Sequence, residues 1–158
     1  MPRMALAATL LTLLAAGPAP PEGSEARIEA GKLVILHPWS RATAAAGAPA
    51  VGYLSITNTG AAPERLLGAD CAIAGMTMLH TTTRDGAVAR MRAVDSLPIP
   101  PGGTLTLAPG GSHLMLMDTT QALAPGGRFA CTLRFATQGP VAVEFAVQPA
   151  GAGPKAPM

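Results

Sequence analysis

Turn formers punctuate this chain so regularly that no long helix fits between them. The 158 residues include 18 Gly and 16 Pro. Many fall in compact clusters: Asn58-Thr59-Gly60, Asp85-Gly86, Pro100-Pro101-Gly102-Gly103, Pro109-Gly110-Gly111, Pro125-Gly126-Gly127 and Gly139-Pro140. Gly supplies positive φ without steric cost, and Pro fixes φ and stops helices, so such clusters mark turns. Short apolar runs without a sustained 3.6-residue period lie between them, the pattern of strands. They predict nine strands, over 32–36, 52–58, 65–69, 76–83, 87–94, 104–108, 113–117, 128–136 and 141–147. The Ala-rich stretch 41–50 reads as a short helical turn cut off by Gly47 and Pro49. Nine short strands in one domain of this size indicate an all-β Greek-key sandwich or small barrel.

Composition narrows the function classes. Apolar residues make up 49% and charged residues 13%, which excludes a charge-rich unfolded chain. The net charge is +2, and the arginines are scattered singly without the basic stripe of a nucleic-acid binder. No nucleophile–base pair or carboxylate dyad stands out, so the chain does not read as an enzyme.

The N-terminus has the layout of an export signal. Arg3 precedes an apolar run over 4–16, too short to span a bilayer comfortably, and small residues with Pro18, Pro20 and Pro21 follow. The expected organisation is a signal peptide over 1–19, a β-domain over 27–148 and a flexible tail over 149–158. No Cys follows the apolar run, which argues against a lipid anchor. An exported, soluble, periplasmic protein is expected, with no membrane span in the mature chain. In an oxidising compartment, Cys71 and Cys131 form either a disulfide closing a long loop or two buried thiols.

Sulfur is the feature out of proportion. Five of the eight Met (Met76, Met78, Met91, Met115, Met117) and two of the three His (His80, His113) crowd into positions 76–117. Asp85-Gly86 is a strong signal for a two-residue hairpin loop. With those two residues in the loop, His80 lies directly opposite Met91, on a face shared with Met76, Met78, Ala89 and Ala93. Leu79, Arg90, Arg92 and Val94 take the other face. In the strand that opens at His113, His113 and Met115 point the same way, with Leu114 and Leu116 opposite. Brought together by the fold, the two pairs would make an N₂S₂ donor set, expected at the open end of the barrel. Neutral thioethers suit Cu(I) and are poor ligands for Zn²⁺, Mg²⁺ or Ca²⁺. The candidate metal ligands are His80, Met91, His113 and Met115. Met76, Met78 and Met117 read as packing residues, although Met78 and Met117 fall two residues from a candidate ligand. His37 reads as a surface histidine and Trp39 as a core anchor.

The spacing His80-x10-Met91-x21-His113-x-Met115 resembles the copper-binding pattern of the periplasmic PCuAC family of copper chaperones. So do the segments 37–43, 52–60, 101–103 and 109–117, and the resemblance runs over about 28–147. It implies a cupredoxin-like β-barrel that holds Cu(I) in an exposed site. It further implies delivery towards the binuclear copper centre of cytochrome c oxidase, alongside Sco-type thiol proteins. Cys71 and Cys131 are not part of that family's ligand pattern, and the C-terminal tail offers only Met158. Two other readings stand beside it: a copper-scavenging protein without an oxidase target, and an exported β-sandwich binding module whose Met and His are incidental. A blue-copper electron carrier needs a Cys ligand beside a His, and neither Cys has one near it.

Overall fold

The computed structural model describes residues 26–153 and is all-β. The signal segment 1–19 and the last five residues lie outside the described residues. Eleven strands follow one another: β1 (Arg27–Ala30), β2 (Leu33–Arg41), β3 (Ala50–Asn58), β4 (Glu64–Cys71), β5 (Ala74–Asp85), β6 (Val88–Val94), β7 (Leu97–Ile99), β8 (Thr104–Leu107), β9 (His113–Thr119), β10 (Arg128–Phe135) and β11 (Gly139–Gln148). All nine expected strands are present, most of them longer than their apolar runs. The two unforeseen strands have local reasons to be silent. β1 alternates charged residues with half-buried ones, and β7 is three residues with Pro98 at its centre. Proline is tolerated there because β7 is an edge strand paired with β4 alone. The stretch between β2 and β3 is irregular, so the expected helical turn at 41–50 is absent. Its backbone is tied down elsewhere: the Thr43 N–H donates to the Leu123 carbonyl and the Gly47 N–H to Thr119.

The strands hydrogen-bond in the order β6-β5-β9-β3-β2-β11-β10-β4-β7, with β1 added to β2 and β8 to β3. The path does not close, so the sheet is open, with β6 and β7 at its ends. Every pairing is antiparallel except β11 with β2. Two strands fork and let the sheet fold over on itself. β3 pairs with β9 through Ala50, Val51 and Gly52 and with β8 from Leu54 onward. β2 pairs first with β1 and then, past a register shift between Leu36 and Trp39, with β11. The shift falls at His37, whose φ of 53° turns the chain, and at Pro38, which has no N–H to offer a ladder. Trp39 emerges buried, with its ring 4.7 Å from Tyr53, as a core anchor should.

The folded sheet closes around a core that includes Ile35, Ile56, Leu66, Leu114, Leu133 and Phe145, all fully buried. Gly52 sits in a tight spot here: a Cβ on it would lie 3.1 Å from Phe145 and 3.3 Å from Leu114, so those side chains would have to give way slightly. Cys71 and Cys131 occupy directly paired positions of β4 and β10 and form a disulfide across 60 residues of sequence. The reading as two free thiols is thereby overturned. At the start of β4, the buried Glu64 carboxylate accepts N–H bonds from Arg65, Thr137 and Gln138 at 2.8–2.9 Å. It thus holds the β10–β11 turn. The segment after β11 is also held at its start: the Ala152 carbonyl accepts from Arg41 Nε at 3.2 Å. No helix among the described residues is long and apolar enough to cross a membrane.

Candidate metal centre

The sulfur-rich residues meet on one face at one end of the sheet, where β9, β5 and β6 lie side by side. Residues two apart share a face of a strand, and residues directly opposite on paired strands share it too. β5 and β9 pair with Met76 opposite Met117, Met78 opposite Met115 and His80 opposite His113. The intervening residues Leu79, Leu114 and Leu116 point into the core and are buried. This alternation of Leu with His or Met fixes the orientation of β9: a slip by one residue would drive its two leucines into solvent.

The hairpin register differs from the sequence expectation. The two loop residues are Gly86 and Ala87, so Asp85 pairs with Val88, Thr82 with Met91 and His80 with Ala93. Gly86 has φ 61° while Ala87 is not among the positive-φ residues, the pattern of a II′ turn with Gly in its first central position. Asp85 is thus the last strand residue and not part of the loop. The slip is two residues, an even number, so Met91 keeps the face of His80. It becomes a diagonal neighbour, at a Cα separation of about 7–8 Å, instead of a direct partner. A methionine side chain has three rotatable bonds and spans that gap.

The two imidazoles lie edge to face, with ring centroids 5.5 Å apart at an interplanar angle of 69°. His113 Nδ1 lies 3.1 Å from the Gly111 carbonyl oxygen. A carbonyl only accepts, so Nδ1 carries the proton and donates, and the lone pair sits on Nε2. That Nε2 is buried and has no hydrogen-bond partner, and neither has His80 Nδ1. They are the buried side-chain polar atoms left without a partner among the described residues. Burial, reinforced by the neighbouring His113, holds the His80 imidazole below its ordinary pKa and keeps it uncharged. Leaving buried nitrogens unpaired is costly, about 1–3 kcal/mol each, so such atoms call for an unseen partner.

The donors around them are soft. Met78 and Met115 are half-buried beside the histidines, and Met91 is 60% exposed on the edge strand. No group of three or more His, Cys, Asp or Glu able to hold a metal gathers among the described residues. The donors that the strand register brings together are two imidazoles and several thioethers. The structure places His80, His113 and Met115 together, and Met91 on the same face one strand further out. It places Met76, Met78 and Met117 on that open face as well, not in the core as the packing reading had it. Met78 is two residues from His80 on one face and directly opposes Met115; the first relation is local, and the second comes only from the long-range pairing of β5 with β9.

Comparison with known proteins follows the same lines. Among solved structures, the copper-bound PCuAC domain from PmoF2 superposes with a TM-score of 0.68 at 31% identity, covering 78% of this chain and 98% of that one. The Cu(I) form of DR1885 from Deinococcus radiodurans superposes with a TM-score of 0.62 at 29% identity, covering 82% of this chain and 84% of that one. A protein of Leifsonia xyli subsp. xyli named as a lipoprotein, Lxx21020, is 36% identical over 118 residues, 73% of this chain and 70% of its own length. The class defined by fold and likeness is the PCuAC domain, with a cupredoxin-like β fold. Within it the chain belongs to the LpqE-like family, which it matches over residues 33–147 and whose description also speaks of a lipoprotein.

Proposed function

We propose that this protein is an exported, non-enzymatic Cu(I) carrier, with the ion as cargo held by His80, Met91, His113 and Met115. The observation that carries this reading is the pair of buried, unpartnered nitrogens, His80 Nδ1 and His113 Nε2, set among thioethers. An ion bound there satisfies both nitrogens at once. Thioether sulfur selects Cu(I) over harder divalent ions, and neutral ligands suit a singly charged ion. The proton on His113 Nδ1, held by the Gly111 carbonyl, orients the ring, as the second hydrogen bond of a metal-binding histidine does.

Transfer proceeds by ligand exchange, with the ion remaining Cu(I) and no electron or proton moved. Met91 is the donor most open to an incoming acceptor, being on the exposed edge strand. The disulfide and the apolar N-terminal run both favour an oxidising compartment outside the cytoplasm, the periplasm in this reading. The destination we propose is the binuclear copper centre of cytochrome c oxidase, reached directly or through a Sco-type thiol protein.

Replacing both Met91 and Met115 by Leu tests the ligand set. Anaerobic competition against a chromophoric Cu(I) chelator should show the affinity of the double variant falling by tenfold or more, about 1.4 kcal/mol per tenfold. An unchanged affinity removes the two methionines from the site. X-ray absorption on the one-to-one complex should count both nitrogen and sulfur ligands, and a nitrogen-only shell would refute the N₂S₂ set.

A further inference from the structure

The face that carries the histidines extends past them, and its outer part has no role in the site proposed above. Met76 and Met117 are directly opposed across β5 and β9, one step beyond the Met78–Met115 pair. Met76 is 53% exposed, while Met78 and Met117 are half-buried. Core packing does not account for an exposed methionine, since the leucines of the same strands already fill the interior. Three thioethers, of Met76, Met78 and Met117, thus lie at the corners of one small patch. The directly opposed pair has Cβ atoms about 4.5–5.5 Å apart, and the diagonal from Met117 to Met78 spans about 7–8 Å. Flexible side chains of this length can turn three sulfurs towards one point.

We propose that Met76, Met78 and Met117 form a second site, built of sulfur alone, for a soft monovalent cation such as Cu(I) or Ag(I). The donor set is uncharged and has no proton to displace, so it accepts a +1 ion and discriminates against hard divalent ions. Lacking imidazole and lying nearer solvent, it binds more weakly than the histidine site. Because Met78 adjoins Met115, the two sites share a border, and an ion can pass between them along one continuous line of thioethers. The outer site is where an ion first lands or last rests. This inference does not need the histidine site to bind copper, since it stands on separate donors.

The test is an anaerobic titration of the intact chain with Ag(I), followed by the ε-methyl signals of methionine in NMR spectra. Ag(I) shares the soft, singly charged character of Cu(I) and does not change oxidation state. In the wild type the ring signals of His80 and His113 should move during the first equivalent. The methyl signals of Met76 and Met117 should move during the second. Substituting Met76→Leu together with Met117→Leu should weaken the second binding event about tenfold or more and leave the first unchanged. Methyl signals of Met76 and Met117 that stay fixed through excess Ag(I) overturn the proposal, as does a double variant that binds two ions as tightly as wild type. Failure of the histidine site shows separately, as ring signals that never move while the Met76 and Met117 methyls do, and that outcome supports the outer site.

Discussion

The two ends of the hydrogen-bonded path are built to opposite specifications. At one, β4 and β10 are stapled by Cys71–Cys131, and Glu64 is buried while accepting three backbone N–H bonds from the chain around it. At the other, β5, β9 and β6 leave two imidazole nitrogens without partners, and every residue of β6 except Val94 is exposed. One end satisfies its polar and sulfur groups internally. The other holds them in reserve for something brought from outside. Stability and binding thus rest on different side chains, and substitutions should separate them.

The largest effect on stability belongs to the stapled end. Replacing Cys71 and Cys131 together by Ala should cost about 2–5 kcal/mol, read from urea unfolding midpoints, because the open chain regains entropy. Cu(I) stoichiometry in the folded variant should be unchanged, and a loss of binding would show that the two ends are coupled. Leu114→Ala should destabilise by a similar amount, about 2–5 kcal/mol by the same measurement, since the side chain is fully buried between two candidate ligands and leaves a cavity. A cost well under 1 kcal/mol would mean that β9 is not anchored through its leucines.

Glu64→Gln should cost less, about 1–3 kcal/mol, through a mismatched acceptor for buried N–H groups. Its pH dependence sharpens the point. Burial alone would raise the Glu64 pKa, but the N–H bonds from Arg65, Thr137, Gln138 and Ala136 outweigh it, so the folded value lies below the ordinary glutamate range. A depressed folded pKa contributes stability that is complete above the unfolded value and disappears as pH falls through the folded one. The difference between wild type and Glu64→Gln should therefore be full at neutral pH and close in acid, as followed by urea midpoints across pH. A difference that widens on acidification would contradict the sign. The smallest stability effect belongs to the open end. Met91→Leu should shift the unfolding free energy by no more than about 0.5 kcal/mol, because the residue is largely solvated. Under the proposed function it should still weaken Cu(I) binding about tenfold in the competition titration.

What could be read from the chain beforehand follows the range of the interactions involved. Turn clusters and apolar runs are local, and they located nine strands and the all-β class. The hairpin was legible up to its loop: Asp85-Gly86 and Gly86-Ala87 are both plausible two-residue turns, and only the structure chose between them. The consequence was mild because strand faces repeat every two residues, and a slip of two preserves them. His113 and Met115 were readable as a same-face pair for the same local reason. Long-range pairing was not readable. Nothing near His80 announces that it will lie against His113, or that Met78 will oppose Met115. Likewise, the Cys71–Cys131 bond depends on β4 meeting β10, a meeting set by the whole topology. The weak strands β1 and β7 were missed because charge or proline masked the apolar signal by which strands are recognised.

The edge position of β6 has a consequence for timing. A terminal strand held by one neighbour frays before the rest of the sheet, since few buried contacts oppose its opening. Of the four proposed ligands, Met91 alone rides on that strand. Each fraying event would then withdraw one ligand and leave three in place on strands rooted in the core. Residence of a bound ion would be governed by a latch that opens far more often than the protein unfolds. The lifetime of the cargo would be set by the hairpin, and the lifetime of the fold by the disulfide between β4 and β10.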